Sequence, residues 1–178
     1  GFEAGGHNGR EETTTLCLIP AVREATTLPL IAAGGIGTGE AIFALMALGA
    51  EGVQMGTRFA LTDESSASDI FKEYCLRLNE GDTKLLLKKL APTRLVINSF
   101  RDRVEAAEGR GASAEELREL LGRGRAKKGI FEGDLEEGEL EIGQVAALFR
   151  RRQSVDEVMK ELLEGYRRAS DKIRSAGL

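Results

Sequence analysis

The stretch from Leu28 to Leu61, LPLIAAGGIGTGEAIFALMALGAEGVQMGTRFAL, limits what this chain can fold into more than any other. It opens with a short, nearly continuous apolar run, Leu28 to Ala33, that stops at Gly34-Gly35. Such a run is expected of a strand buried on both faces of a parallel sheet. Gly39 to Gly49 then places Ala41, Leu45 and Leu48 on one helical face, with Gly49 as the stop. Gly52 to Met55 reads as the next strand, closed by Gly56-Thr57, and a helix over Thr13 to Thr26 leads into the first strand. Strands alternating with helices in this way predict an α/β protein with a parallel sheet.

The texture changes after Asp63. Charged, helix-like segments follow at Ser66 to Asn79, Lys84 to Leu90, Asn98 to Glu108 and Ala114 to Leu121, and Ser113 with Glu116 has the spacing of a capping box. A last helix, about Ser154 to Ile173, carries Val155, Val158, Leu162, Leu163 and Tyr166 at helical spacing. Three segments result: 1–62 with the strands and glycine loops, 63–140 as a helical insertion, and 141–178 as a return to the first part and a closing helix.

Composition narrows the function classes. A 178-residue chain that is 42% hydrophobic and 30% charged can bury a core, and no run approaches a membrane span or has the pattern of a signal peptide. A cytoplasmic protein without a membrane partner is expected. The net charge of −4 argues against a nucleic-acid partner. Cys17 and Cys75 lack disulfide or zinc spacing, and the single histidine, His7, rules out a histidine-rich metal site, so no metal is expected.

Two loops carry the chemistry. AAGGIG and QMGTRF each follow a strand, and only small residues allow backbone N–H groups to converge closely on a phosphate ester. Thr57 adds a hydroxyl, and Gln54 stands near the strand end. In a (β/α)8 barrel, the loops after the last strands often hold phosphate. His7 lies between flexible residues in EAGGHNG. Glu3 reads as solvated, as do Lys88, Lys89 and Arg94, while the cations of GRGRAKKG are balanced by the acids of EGDLEEGELE. Met46 and Met55 read as core.

EAGGHNG, PLIAAGGI, GVQMGTRF and GRGRAKKGIFEGDLEEGELEIGQV, in this order, resemble the nitronate monooxygenase (2-nitropropane dioxygenase) family, whose relatives include flavin-dependent enoyl-acyl-carrier-protein reductases. The resemblance implies the C-terminal part of an FMN-dependent TIM barrel with a helical insertion. It implies that His7 is the catalytic base, that Gly5 and Gly6 lie against the flavin, and that Gly34, Gly35, Gly56 and Thr57 hold its phosphate. The implied substrates are a nitronate or nitroalkane and dioxygen.

The chain starts at Gly1 without methionine, and its few strand candidates cannot close an eight-stranded barrel. It therefore also reads as a half-barrel that needs an N-terminal complement and associates through open sheet edges.

Overall fold

The computed structural model describes residues 1–177 and is of the α/β class. In chain order the elements are β1 (Gly6–His7), α1 (Thr15–Ala25), β2 (Ile31–Ala33), α2 (Gly39–Ala47), β3 (Gly52–Gln54) and α3 (Thr57–Ala60). These are followed by α4 (Asp69–Cys75), β4 (Thr83–Leu86), β5 (Thr93–Val96), α5 (Ser99–Gly109), α6 (Ala114–Leu121) and α7 (Val155–Ser175).

β2 and β3 pair in parallel, with Ile31 opposite Gly52 and Ala33 opposite Gln54. The glycine loops that follow them are thereby set side by side. Ala32 is fully buried against Ile19, Ile36, Leu45 and Ala50, but Ile31 is 54% exposed. Burial on both faces therefore holds for only part of the strand. One face is covered by α1 and α2, whereas Ile31 and Ala33 on the other are exposed.

The segment expected to be a helix at Lys84 to Leu90 is instead β4 and the turn after it, antiparallel to β5. Leu86 and Leu87 pack with Leu95 and Phe100 in a small core shared with α5 and α6, and Leu87 has a φ of +59° that no helix continues through. Region 63–140 thus contains a hairpin among its helices. The expected helices at α5 and α6 are present, and the capping box of Ser113 and Glu116 forms, as does a second at Ser154 and Glu157.

α7 buries Val158, Leu162 and Gly165, not Leu163, which is half exposed. It lies close on α2: a Cβ added at Gly39 would stand 2.1 Å from the Leu162 carbonyl oxygen. No described helix is long and apolar enough to cross a membrane.

One edge of β5 pairs with β4, and the other is shared by two segments. Gly6 and His7 stand opposite Arg94 and Thr93. Further along, the Val96 N–H donates to the Leu140 carbonyl at 2.9 Å, and Glu141 bridges Leu95. Gly6 and Glu141, from opposite parts of the chain, meet on this edge.

Candidate functional site

The loops after β2 and β3 and the loop leading into β1 enclose a cavity of about 340 Å³. Its lining includes Gly5, Gly6, Gly34, Gly35, Gln54, Gly56 and Thr57. All seven residues expected to hold the cofactor therefore meet in one place. Gly34 and Gly35 have φ of +101° and +69°, where any side chain strains the backbone, so this turn depends on glycine. Among the described residues, neither the Gly35 nor the Gly56 N–H makes a hydrogen bond within the chain, and a Cβ at Gly56 would meet nothing within 4 Å. The cavity wall thus presents free donors and open space where an anionic ligand can approach.

The return segment after Glu141 closes the cavity from the other side. The Gly143 N–H donates to the Thr57 hydroxyl oxygen at 3.0 Å, leaving the Thr57 O–H as a donor. The Gln144 N–H donates to the Glu3 carbonyl at 3.0 Å, while the Gln144 side chain is exposed. Gly5 comes so close that a Cβ there would stand 2.7 Å from the Gly143 nitrogen.

His7 lies beside this lining but outside it. It is exposed on β1, one residue beyond Gly6, and makes no side-chain hydrogen bond among the described residues. The loop that carries it is firmly held. The Asn8 amide donates to the carbonyls of Ala4 at 3.1 Å and Gly6 at 2.9 Å, and the Asn8 N–H donates to the Pro92 carbonyl at 2.6 Å.

Several expectations need correcting. Glu3 is half-buried, not solvated: its carboxylate accepts from the Thr15 N–H at 3.0 Å and the Thr15 hydroxyl at 3.1 Å, fixing the first loop to α1. Arg94 is 2% exposed and donates through Nη2 to the Phe2 carbonyl at 2.8 Å. Met46 is exposed, and Met55 borders the cavity. Two of the four cations of the basic loop find acids, with Arg125 paired to Glu137 and Lys127 to Glu132.

Sequence reasoning missed Glu141, which lines the cavity. Burial raises the pKa of its carboxyl, and the nearby His7 lowers it. Glu139, on the same face of this extended segment, is pushed up to about 7 by burial and by Glu141. The alternation Glu139, Leu140, Glu141, Ile142 was the available signal, because period two puts both carboxyls on one side and both aliphatics on the other.

A glycine-walled cavity at the carboxyl ends of adjacent parallel strands defines an α/β protein with a strand-end pocket. The chain belongs to the nitronate monooxygenase family, whose signature matches residues 1–165. It is 44% identical over 92 residues to a probable nitronate monooxygenase of Staphylococcus saprophyticus, covering 47% of this chain and 26% of that relative. With a probable nitronate monooxygenase of Staphylococcus aureus it shares 38% identity over 120 residues, covering 61% of this chain and 33% of that relative. Among solved structures, FabK from Thermotoga maritima superposes with a TM-score of 0.91 at 34% identity, over 99% of this chain and 55% of that one. Nitroalkane oxidase from Streptomyces ansochromogenes superposes at 0.73 and 29% identity, over 96% of this chain and 51% of that one. The chain thus spans about half the length of these solved relatives, and its alignments cover a third or less of the curated ones.

Proposed function

We propose that this chain forms the C-terminal part of a (β/α)8 barrel in an FMN-dependent oxidoreductase that oxidises alkyl nitronates or nitroalkanes with dioxygen. The observation that carries this reading is the meeting of Gly5, Gly6, Gly34, Gly35, Gln54, Gly56 and Thr57 around one cavity. The residues suit the cofactor. The free N–H groups of Gly35 and Gly56 and the Thr57 hydroxyl would hold its phosphate, and the backbone of Gly5 and Gly6 offers a wall without side chains for its ring. When bound, FMN supplies an electron acceptor for the substrate carbon and a route for electrons to dioxygen. His7, at the rim, takes the α-proton of a neutral nitroalkane. Residues 1–62 and 141–178 form the barrel part in this reading, and 63–140 the insertion.

A second reading is supported by the likeness to FabK: an enoyl-acyl-carrier-protein reductase using a reduced nicotinamide donor. FMN titration of the chain, followed by gel filtration, is the first test. Stoichiometric retention of flavin supports the site, and oxygen uptake with propionate 3-nitronate against NADH oxidation with a crotonyl thioester then separates the two readings. A folded chain that takes no flavin would mean that it needs an N-terminal complement or that the reading is wrong, and restoring that half decides between them.

A further inference from the structure

A second cavity, of about 510 Å³, lies between α2, α3, α7 and the segment 148–153, and it shares no lining residue with the first. Val145, which lines the first, and Phe149, which lines the second, both press on Gly37: a Cβ there would stand 2.6 Å from the Phe149 ring and 2.7 Å from Val145. Consecutive residues of α3 serve opposite sides, Thr57 the first cavity and Arg58 the second. The chemistry of the second is different. Arg58, Arg150, Arg151 and Arg168 line it with Glu40 and Glu161, so that four cations face two carboxylates in a chain whose net charge is −4.

The arginines are only partly spent on these carboxylates. Arg58 is 7% exposed, lies over the Phe149 ring, and donates through Nη2 to the Gln153 side-chain oxygen at 2.9 Å and to Glu161. Its Nε is buried without a partner, and its Nη1, also unpartnered among the described residues, is not sealed from the cavity. Arg150 donates to the carbonyls of Leu78 and Phe149, at 2.8 Å and 3.1 Å, and to no carboxylate. Arg151 shares Glu161 with Arg58 and reaches Glu157 outside the lining, while Arg168 pairs with Glu40. A buried guanidinium with unmet donors costs free energy that an anion recovers through charge-assisted hydrogen bonds. We infer that this cavity binds the phosphate group of a small phosphorylated molecule, at a site separate from the cofactor cavity. Planar guanidinium forks match phosphate oxygens, and a dianion offsets the two surplus cations of the lining. The volume leaves room for an organic part beside the phosphate. The inference does not require that the first cavity take FMN.

The probes are inorganic phosphate and adenosine 5′-phosphate, with adenosine and acetate as controls, titrated into the chain at low salt. Binding is followed by the amide NMR shifts of Gly37 and Thr38. Both phosphates are expected to move these signals with a Kd of about 1 mM or tighter, and neither control is expected to do so. Arg150→Gln and Arg168→Gln should each weaken phosphate about threefold to tenfold, and Glu40→Gln should tighten it about threefold, because single charges act strongly at short range in a partly desolvated cavity. All three side chains are exposed, so the variants keep the fold and the test does not depend on replacing the buried Arg58. Tighter binding of adenosine 5′-phosphate than of phosphate supports an organic phosphate as the ligand, and equal binding supports the free anion. Shifts confined to Gly35 and Gly56, acetate binding as tightly as phosphate, or an affinity unchanged in all three variants would overturn the inference.

Discussion

Glu139 shows how a single residue can tie the site to the stability of the chain. It is 7% exposed, and burial together with the neighbouring Glu141 pushes its carboxyl up to about 7. The native state therefore keeps a proton that the unfolded chain has already released above a pKa of about 4.3. Stability linked to this group is present in full below that value and is lost as pH rises through about 7. Glu139→Gln, which cannot ionise, should flatten the fall in melting temperature between pH 5 and pH 8. Calorimetry across that range checks this, and a profile that coincides with the native one would contradict it. Nothing in the residue type announces this behaviour. Glu3, Arg94 and Glu141 were equally opaque, because Thr15, Phe2 and Gly6, the residues that bury or bind them, come from other parts of the chain.

At the level of elements, glycine performs two separable tasks. At Gly39 it lets α2 lie against α7, and at Gly56 it leaves space in the cavity. Gly39→Ala should therefore destabilise the fold by about 1–3 kcal/mol, as overpacking of a close contact does. Gly56→Ala should leave stability within about 0.5 kcal/mol, as substitutions away from packed features do, and weaken FMN binding. Urea unfolding and flavin titration of both variants test the division, and equal stability losses would refute it. The parallel unit from β2 to β3 was legible because its apolar runs and positive-φ glycines are local signals. The hairpin of β4 and β5 was not, since KLLLKKL mixes charge and leucine without a clear period, and its strand character comes from pairing with β5 and packing on α5.

For the whole molecule, the open side of the β2–β3 sheet matters most. Leu28 at 70% exposed and Ile31 at 54% are left uncovered. Neither edge of the two-stranded sheet carries a further strand among the described residues. Surface of this kind favours association. Sedimentation equilibrium should show the mean mass of the chain rising with concentration, and Ile31→Lys should reduce that rise; a monomer at every concentration would contradict it. The sequence indicated too few strands to close a barrel, but not which side would be left open.

The shared edge of β5 also sets an order of events in time. β1 is made long before the hairpin it pairs with, and Leu140–Glu141 can fill the rest of that edge only after the hairpin, α5 and α6 have been made. Contacts of such long sequence separation are slow to form. The pocket, which needs Glu141, therefore matures after the β2–β3 unit, whose contacts are local.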